Sequence, residues 1–295
     1  MPGGLIRREE TSLEFSLQSM NDEVPRLTAL FSKFLPDSFG FSELKQLSDT
    51  LIKVWNAFST CRDSSFTLDR KTTFDLISLS RVLSVLNVLE SCPYPKPYLK
   101  RLLKGSIHFL HEGRTPAKDT LWELEVGRRC QRIGSPITLG SPDISLICEG
   151  EELAIECKKI YGESHIQAIF SKAVRQFASF QGMRVVAINL DEILESREMV
   201  QSSSTAAADF LNRRNLEFFG RHQRHFLRYF QSDRIVGVLA NSTCLFAIQN
   251  NCEAPRPSLV NIWTIWSHPD SSHQKRGKLE KLASPLLSET SKSLV

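Results

Sequence analysis

The chain has 295 residues, a formal net charge of +4 from 37 basic and 33 acidic residues, 41% hydrophobic and 24% charged residues, and seven cysteines. These fractions sit near the globular average, which excludes a fully disordered or collagen-like chain, and the length suits two domains with a core that needs no disulfide staples. Cys61, Cys92, Cys130, Cys148, Cys157, Cys244 and Cys252 are odd in number and form no CxxC pair, so they read as buried fillers in a reducing compartment. The first residues lack the apolar region of a signal peptide, and no stretch has the run of about 18 apolar residues that a membrane span needs. The expectation is a soluble cytoplasmic protein with no membrane partner.

Residues 1–112 read as a helical N-terminal region without strand alternation. Ser42 is placed to cap a helix carrying Leu44, Leu47 and Leu51, an apolar stripe runs from Thr73 to Leu89, and a third helix is expected from Tyr98 to His111, ending at Gly113. The texture changes at Thr115-Pro116, an N-cap and N1 pair that opens a helix running to about Ile133. Two short apolar runs follow, Ile144–Cys148 and Leu153–Cys157, joined by Glu149-Gly150-Glu151, which is a hairpin signature. Then come a helix over 164–180, a strand over 184–190, a long helix over 206–230, strand-like runs at 235–240 and 244–248, and a last strand at 259–266. The expected fold class is α/β, a mixed sheet flanked by helices over 113–266, with an N-terminal all-α region and a flexible Ser- and Lys-rich tail over 267–295.

The hairpin carries the chemistry. Asp143 stands at the start of its first strand, and Glu156 and Lys158 near the end of its second. Side chains two apart on a strand share a face, so Glu156 and Lys158 point together and Cys157 points away. Folding the hairpin lays Asp143 beside them. Two carboxylates and an ammonium on one face suit phosphodiester hydrolysis, because oxygen ligands hold a hard cation and a lysine can orient water or stabilise developing charge. Pro36-Asp37 with Glu43-Leu44-Lys45 satisfies the same pattern, but its gap is too short for two strands and a turn.

Pro142-Asp143 followed by Glu156-Cys157-Lys158 resembles the PD-(D/E)xK nuclease superfamily, with its restriction-endonuclease-like fold. The resemblance implies a metal-dependent nuclease using Mg²⁺ or Mn²⁺, acting most directly on DNA. Within it, Asp143, Glu156 and the Cys157 carbonyl would bind the metal and Lys158 would act on the attacking water. Trp122-Glu123-Leu124-Glu125 supplies the carboxylate of the preceding helix; Glu123, with Gly127 one turn on, matches better than Glu125. Lys172-Ala173-Val174-Arg175-Gln176 resembles the element whose glutamine, here Gln176, positions the lysine or the phosphate. The resemblance further implies a prokaryotic defence or mobile-element setting, a homodimer where both strands are cut, and a protein partner through the N-terminal helical region. RNA stays open as substrate, since no base-reading motif is visible. The rival reading is a catalytically silent scaffold of the same fold that binds nucleic acid or protein.

Arg221, Arg224 and Arg228 lie three and four apart on the long helix, and beside a nuclease site they are expected to track a phosphate backbone. His222/His225 and His108/His111 share that spacing without a cysteine or acidic ligand at zinc-site distance along the chain, and read as ordinary histidines. No Walker lysine loop, GxSxG or GxGxxG is present.

Overall fold

A computed structural model describes residues 5–13, 16–60, 68–132, 136–148, 150–194, 198–201, 204–232, 234–248, 256–267, 277 and 279. In chain order the elements are β1 (Leu5–Leu13), α1 (Leu17–Phe34), α2 (Glu43–Thr60), α3 (Arg70–Leu83), α4 (Leu86–Ser91), α5 (Lys96–Leu102), α6 (Pro116–Gln131), β2 (Ile137–Leu139), β3 (Ile144–Cys148), β4 (Glu151–Lys159), α7 (Ile166–Gln176), β5 (Met183–Asn189), β6 (Glu198–Gln201), α8 (Ser204–Gln231), β7 (Gly237–Ile248) and β8 (Arg256–Trp266). Short 3₁₀ turns follow β4 and β5, at Glu163–His165 and Asp191–Ile193. The chain divides into two compact units, one holding residues 15–128 and the other β1 with the described residues from 129 onward. Against the sequence boundary at 112/113, this division leaves most of α6 in the helical unit.

In the helical unit, capping and burial follow the sequence pattern. Ser42 accepts a hydrogen bond from the Lys45 amide at 3.1 Å, and Leu44, Leu47 and Leu51 of α2 are buried. Thr115 caps α6 by accepting from the Lys118 amide at 3.2 Å. The stripe expected over Thr73–Leu89 is two helices, α3 and α4, with a break at Ser84 and Val85. Residues 70–91 are long and apolar enough to cross a membrane, but most of this stretch is buried inside the protein, as in a core helix. The third expected helix is shorter than its pattern. α5 ends at Leu102, because Gly105 takes a left-handed φ of 87° and a Cβ there would meet Thr115 Cβ at 3.0 Å. Beyond it the chain is held by side chains: Glu43 accepts from Ser106 Oγ and the Ile107 amide at 2.8 and 2.7 Å, and Ser78 accepts from the Phe109 amide at 2.9 Å.

The second unit is built on one mixed sheet of eight strands, ordered β1-β8-β7-β5-β4-β3-β2, with β6 pairing the far half of β7. β4, β5 and β7 run parallel at its centre, and the other pairs on this path are antiparallel. β1 contradicts the expectation of a purely helical N-terminal region. It pairs antiparallel with β8 at the sheet edge, and backbone bonds hold it there where its largely polar sequence gives no alternation to read. β7 is likewise one strand where two runs were expected. The polar Asn241-Ser242-Thr243 between them is buried and hydrogen-bonded, so the ladder continues through it.

α7 and α8 bury one face of the sheet. Ala154, Val186, Ile188, Val238 and Ala240 from the strands meet Phe170, Ala173 and Phe177 of α7 and Phe218, Phe219 and Phe226 of α8. Most of the tail expected at 267–295 lies outside the described residues, as do Cys61, Cys252 and the expected helix end at about Ile133. Where the tail is described it is packed: Leu279 is buried, its Cδ2 2.8 Å from where a Cβ on Gly237 would stand. A tighter approach occurs at the entry to β5, where a Cβ on Gly182 would lie 2.2 Å from the Glu152 carbonyl oxygen of the neighbouring strand. Gly182→Ala should therefore lower stability by about 1–3 kcal/mol, as overpacking against a fixed backbone does. Urea unfolding checks this, and a wild-type midpoint would show that β5 shifts without cost.

Candidate metal and catalytic site

The register of the hairpin sets the site. Ile144 pairs with Ile155, so Asp143, the residue just before β3, lies across from Glu156 of β4. The Asp143 amide donates to Glu156 Oε1 at 3.2 Å, and Asp143 Oδ2 accepts from the Cys157 amide at 2.8 Å. Lys158 Nζ donates to Glu156 Oε2 at 2.7 Å, to the Cys157 carbonyl at 3.0 Å and to Asp143 Oδ2 at 3.5 Å. Three oxygens of three residues thus converge on one cationic centre, supplied by the chain's own ammonium.

Electrostatics follow from depth. Glu156 is fully buried, while the Lys158 and Asp143 side chains keep 17% and 15% exposure, so the pocket opens on the Lys158 side. Burial first, and then the charge of Asp143, push the Glu156 carboxyl up to about 7, with Lys158 pulling the other way. Burial opposes the Lys158 ammonium, yet the Asp143 and Glu156 carboxylates outweigh it and hold that group above its ordinary value. Depth therefore penalises the Glu156 charge, while the two carboxylates together stabilise the ammonium between them.

A titration follows from this. Between pH 4.5 and about 7 the folded chain keeps a proton on Glu156 that the unfolded chain releases. Stability from this group is thus greatest at the acid end of that window and falls as pH rises through it. Glu156→Gln should abolish that fall, seen as a urea midpoint in metal-free buffer that no longer drops across this window. An identical pH dependence in both proteins would show that Glu156 titrates normally.

Among the described residues no cluster of three or more His, Cys, Asp or Glu side chains is placed to hold a metal. The set at this site is instead two carboxylates and a backbone carbonyl, all hard oxygen donors. That chemistry fits Mg²⁺ or Mn²⁺, which take few protein ligands and keep several waters. Asp143, Glu156 and the Cys157 carbonyl are the groups that would hold it. Cys157 itself is buried, with Cys130, Cys148 and Cys244; burial pushes the Cys130 and Cys244 thiols up to about 12, which makes them inert.

The other expected site residues are placed differently. Glu123 lies in the helical unit, where Arg101 takes both its carboxylate oxygens at 3.1 and 2.7 Å; Glu125 is held in the same fashion by Arg81 at 2.7 and 2.9 Å. Gln176 ends α7 and makes no hydrogen bond to Lys158; its Oε1 is buried without a partner. Arg224 and Arg228 are exposed on α8, whereas Arg221 is paired with Glu163, Nε and Nη2 donating at 3.0 and 2.6 Å. His222 bonds the same carboxylate at 2.7 Å, and His108 bonds Asp75 at 3.2 Å. In the decoy motif, Glu43 holds the loop after α5 and Lys45 pairs with Asp49 on its own helix.

Sequence reasoning missed a second polar cluster at the carboxyl ends of the parallel strands. Lys159 Nζ donates to Asn189 Oδ1 at 2.6 Å and lies 3.7 and 3.8 Å from Asp191 and Glu192, all nearly fully buried. Asn189 donates to Asn241 at 3.0 Å, Asn241 donates to Asn261 at 2.9 Å, and Asp191 accepts from the Thr243 amide at 2.8 Å. One position from Lys158, Lys159 points to the opposite face and knits β4, β5, β7 and β8 together. Only a second lysine after Glu156 signals it in the sequence. Comparison with known proteins adds no relative: no family model, curated protein or solved structure matches this chain.

Proposed function

We propose that the chain is a divalent-metal-dependent nuclease of the PD-(D/E)xK type, with a restriction-endonuclease-like catalytic unit acting on DNA. The observation that carries this reading is the convergence of Asp143 Oδ2, Glu156 Oε2 and the Cys157 carbonyl on the Lys158 ammonium, at 3.5, 2.7 and 3.0 Å. A site that gathers three hard oxygens about a monovalent cation has the donor set that a divalent one takes. A bound Mg²⁺ or Mn²⁺ would lower the pKa of a coordinated water and offset negative charge on the phosphoryl oxygens.

The chain's own groups do the rest. Asp143 and Glu156 would hold the ion through the oxygens that face Lys158. Lys158 Nζ, displaced from them, would donate a hydrogen bond to the attacking water or to a non-bridging phosphate oxygen, where charge builds up. Exposed Arg224 and Arg228 on α8 supply sequence-independent phosphate contacts. The scheme assigns no step to Glu123, which Arg101 engages, or to Gln176, which makes no hydrogen bond to Lys158.

The test is cleavage of single- and double-stranded DNA and RNA in Mg²⁺, Mn²⁺ or EDTA. Metal-dependent cutting of DNA that EDTA stops is the expected result. Cutting that survives EDTA, or none on any substrate, would overturn the reading.

A further inference from the structure

A cavity of about 220 Å³ lies beside the mid-section of α8, at the carboxyl ends of β4 and β5. Arg214, Asn215, Phe218 and Arg221 line it at helical spacing, so one face of α8 forms its wall. Glu163, from the turn after β4, and Leu190, just past β5, stand opposite.

Two features of this wall point to a ligand. Asn215 is 1% exposed; its Oδ1 accepts from Ser242 Oγ, while its Nδ2 is buried with no partner. A buried amide donor left unpaired is costly, and because Asn215 lines the cavity, an acceptor bound there would relieve that cost. Two guanidinium groups also converge on the same space. Arg221 is held by Glu163 at 3.0 and 2.6 Å, a bidentate fork of the kind arginine makes with carboxylate or phosphate. Glu163 is kept ionised, its carboxyl drawn below the usual range first by the Arg221 hydrogen bond. Charged neighbours include Glu217, 3.2 Å from Arg214 on the outer surface, and His222, which bonds Glu163 at 2.7 Å.

We propose that this cavity is a binding site for a phosphate group, held by Arg214, Arg221 and the Asn215 Nδ2 donor. Glu163 is the resident anion that shows where ligand oxygens sit, and it yields Arg221, wholly or in part, when phosphate enters. Leu190 and Phe218 give the apolar flank against which the rest of a small phosphorylated molecule, or the end of a nucleic-acid strand, would lie. The site uses none of Asp143, Glu156 or Lys158 and stands whether or not the chain cuts nucleic acid.

The experiment is calorimetric titration of inorganic phosphate into the full chain without divalent metal, with near-UV circular dichroism to verify each fold. Saturable one-site binding is expected. Arg214→Gln should weaken it about tenfold or more, one lost charge-assisted contact. Asn215→Asp keeps the acceptor for Ser242 but replaces the donor with a negative charge, and should abolish binding. Glu163→Gln should tighten binding several-fold by freeing Arg221, and Asp143→Ala should bind as wild type. If Asn215→Asp does not fold, Arg214→Gln and Glu163→Gln carry the test by moving affinity in opposite directions. No saturable binding to wild type, wild-type affinity in Arg214→Gln, weaker binding in Glu163→Gln, or lost binding in Asp143→Ala would each overturn the proposal. A 5′-phosphorylated oligonucleotide that competes better than its 5′-hydroxyl twin would assign the phosphate to a strand end. Competition by neither would assign it to a free small phosphate.

Discussion

Asp143→Ala is expected to reduce metal-dependent cleavage by about 10²–10³-fold or more, the range in which removing one group that stabilises transition-state charge falls. Two losses combine in this substitution. One oxygen of the cation site disappears, and the Cys157 amide loses the acceptor that holds it at 2.8 Å, next to the Cys157 carbonyl and Lys158. Lys158→Ala should cost a similar factor by a different route. The carboxylates and carbonyl remain to hold the metal, but no ammonium meets the water or the phosphate. The two variants therefore separate in metal dependence: half-saturation by Mn²⁺ should rise in Asp143→Ala and stay near wild type, or fall, in Lys158→Ala, where the competing ammonium is gone. Cleavage rates against Mn²⁺ concentration make the comparison. Variants that both cut at the wild-type rate would remove these residues from the chemistry.

Phe226→Ala should be the most destabilising single truncation in the sheet unit, at about 3–5 kcal/mol. Its ring is fully buried and lies 4.8 Å from Phe170, 5.4 Å from Phe219, 6.0 Å from Trp266 and 6.2 Å from Phe218, centroid to centroid. It is thus the side chain through which α8 locks onto both α7 and the last strand. Phe170 and Trp266 approach it edge-on, and cannot collapse into the void without losing contacts to their own strands and helices. Since native stabilities run about 5–15 kcal/mol, this is a large share of the total. Arg224→Ala, two residues earlier on the exposed face, should stay within about 0.5 kcal/mol. Urea unfolding of the pair checks both, and a loss under about 1 kcal/mol at Phe226 would mean that α8 is loosely docked.

How much of this was legible in the sequence depends on range. The hairpin was, because alternation, the Glu149-Gly150-Glu151 turn and the residue count between Asp143 and Glu156 are all local. They suffice to place Asp143, Glu156 and Lys158 together, and their geometry is the one the spacing implies. The depth of Glu156 was not legible: it is fixed by β5 running parallel alongside β4, with Glu156 set against Val186. β1 escaped for a related reason, since an edge strand needs no apolar face of its own. The continuity of β7 was masked by Asn241-Ser242-Thr243, whose burial makes sense only once Asn189, Asp191 and Asn261 are seen around it. Local pattern also over-extended the helix after Pro97, because nothing near Gly105 announces that Thr115 will sit over it. Arg221 read as a phosphate-tracking cation, and its partner Glu163 lies 58 residues away. The helix carboxylates Glu123 and Glu125 are the plainest case: the local motif fits, yet Arg101 and Arg81, from other helices of the same unit, take both.

Asp143, Glu156 and the Cys157 carbonyl are proposed above to form a divalent-cation site. Diffraction from crystals soaked in Mn²⁺, with the anomalous signal of the metal recorded, tests it most directly. The account predicts a peak at about 2.1 Å from oxygens of Asp143 and Glu156, with Lys158 Nζ displaced from its position 2.7 Å from Glu156. An anomalous map with no peak between these carboxylates, and the Lys158–Glu156 pair intact at saturating Mn²⁺, would contradict it.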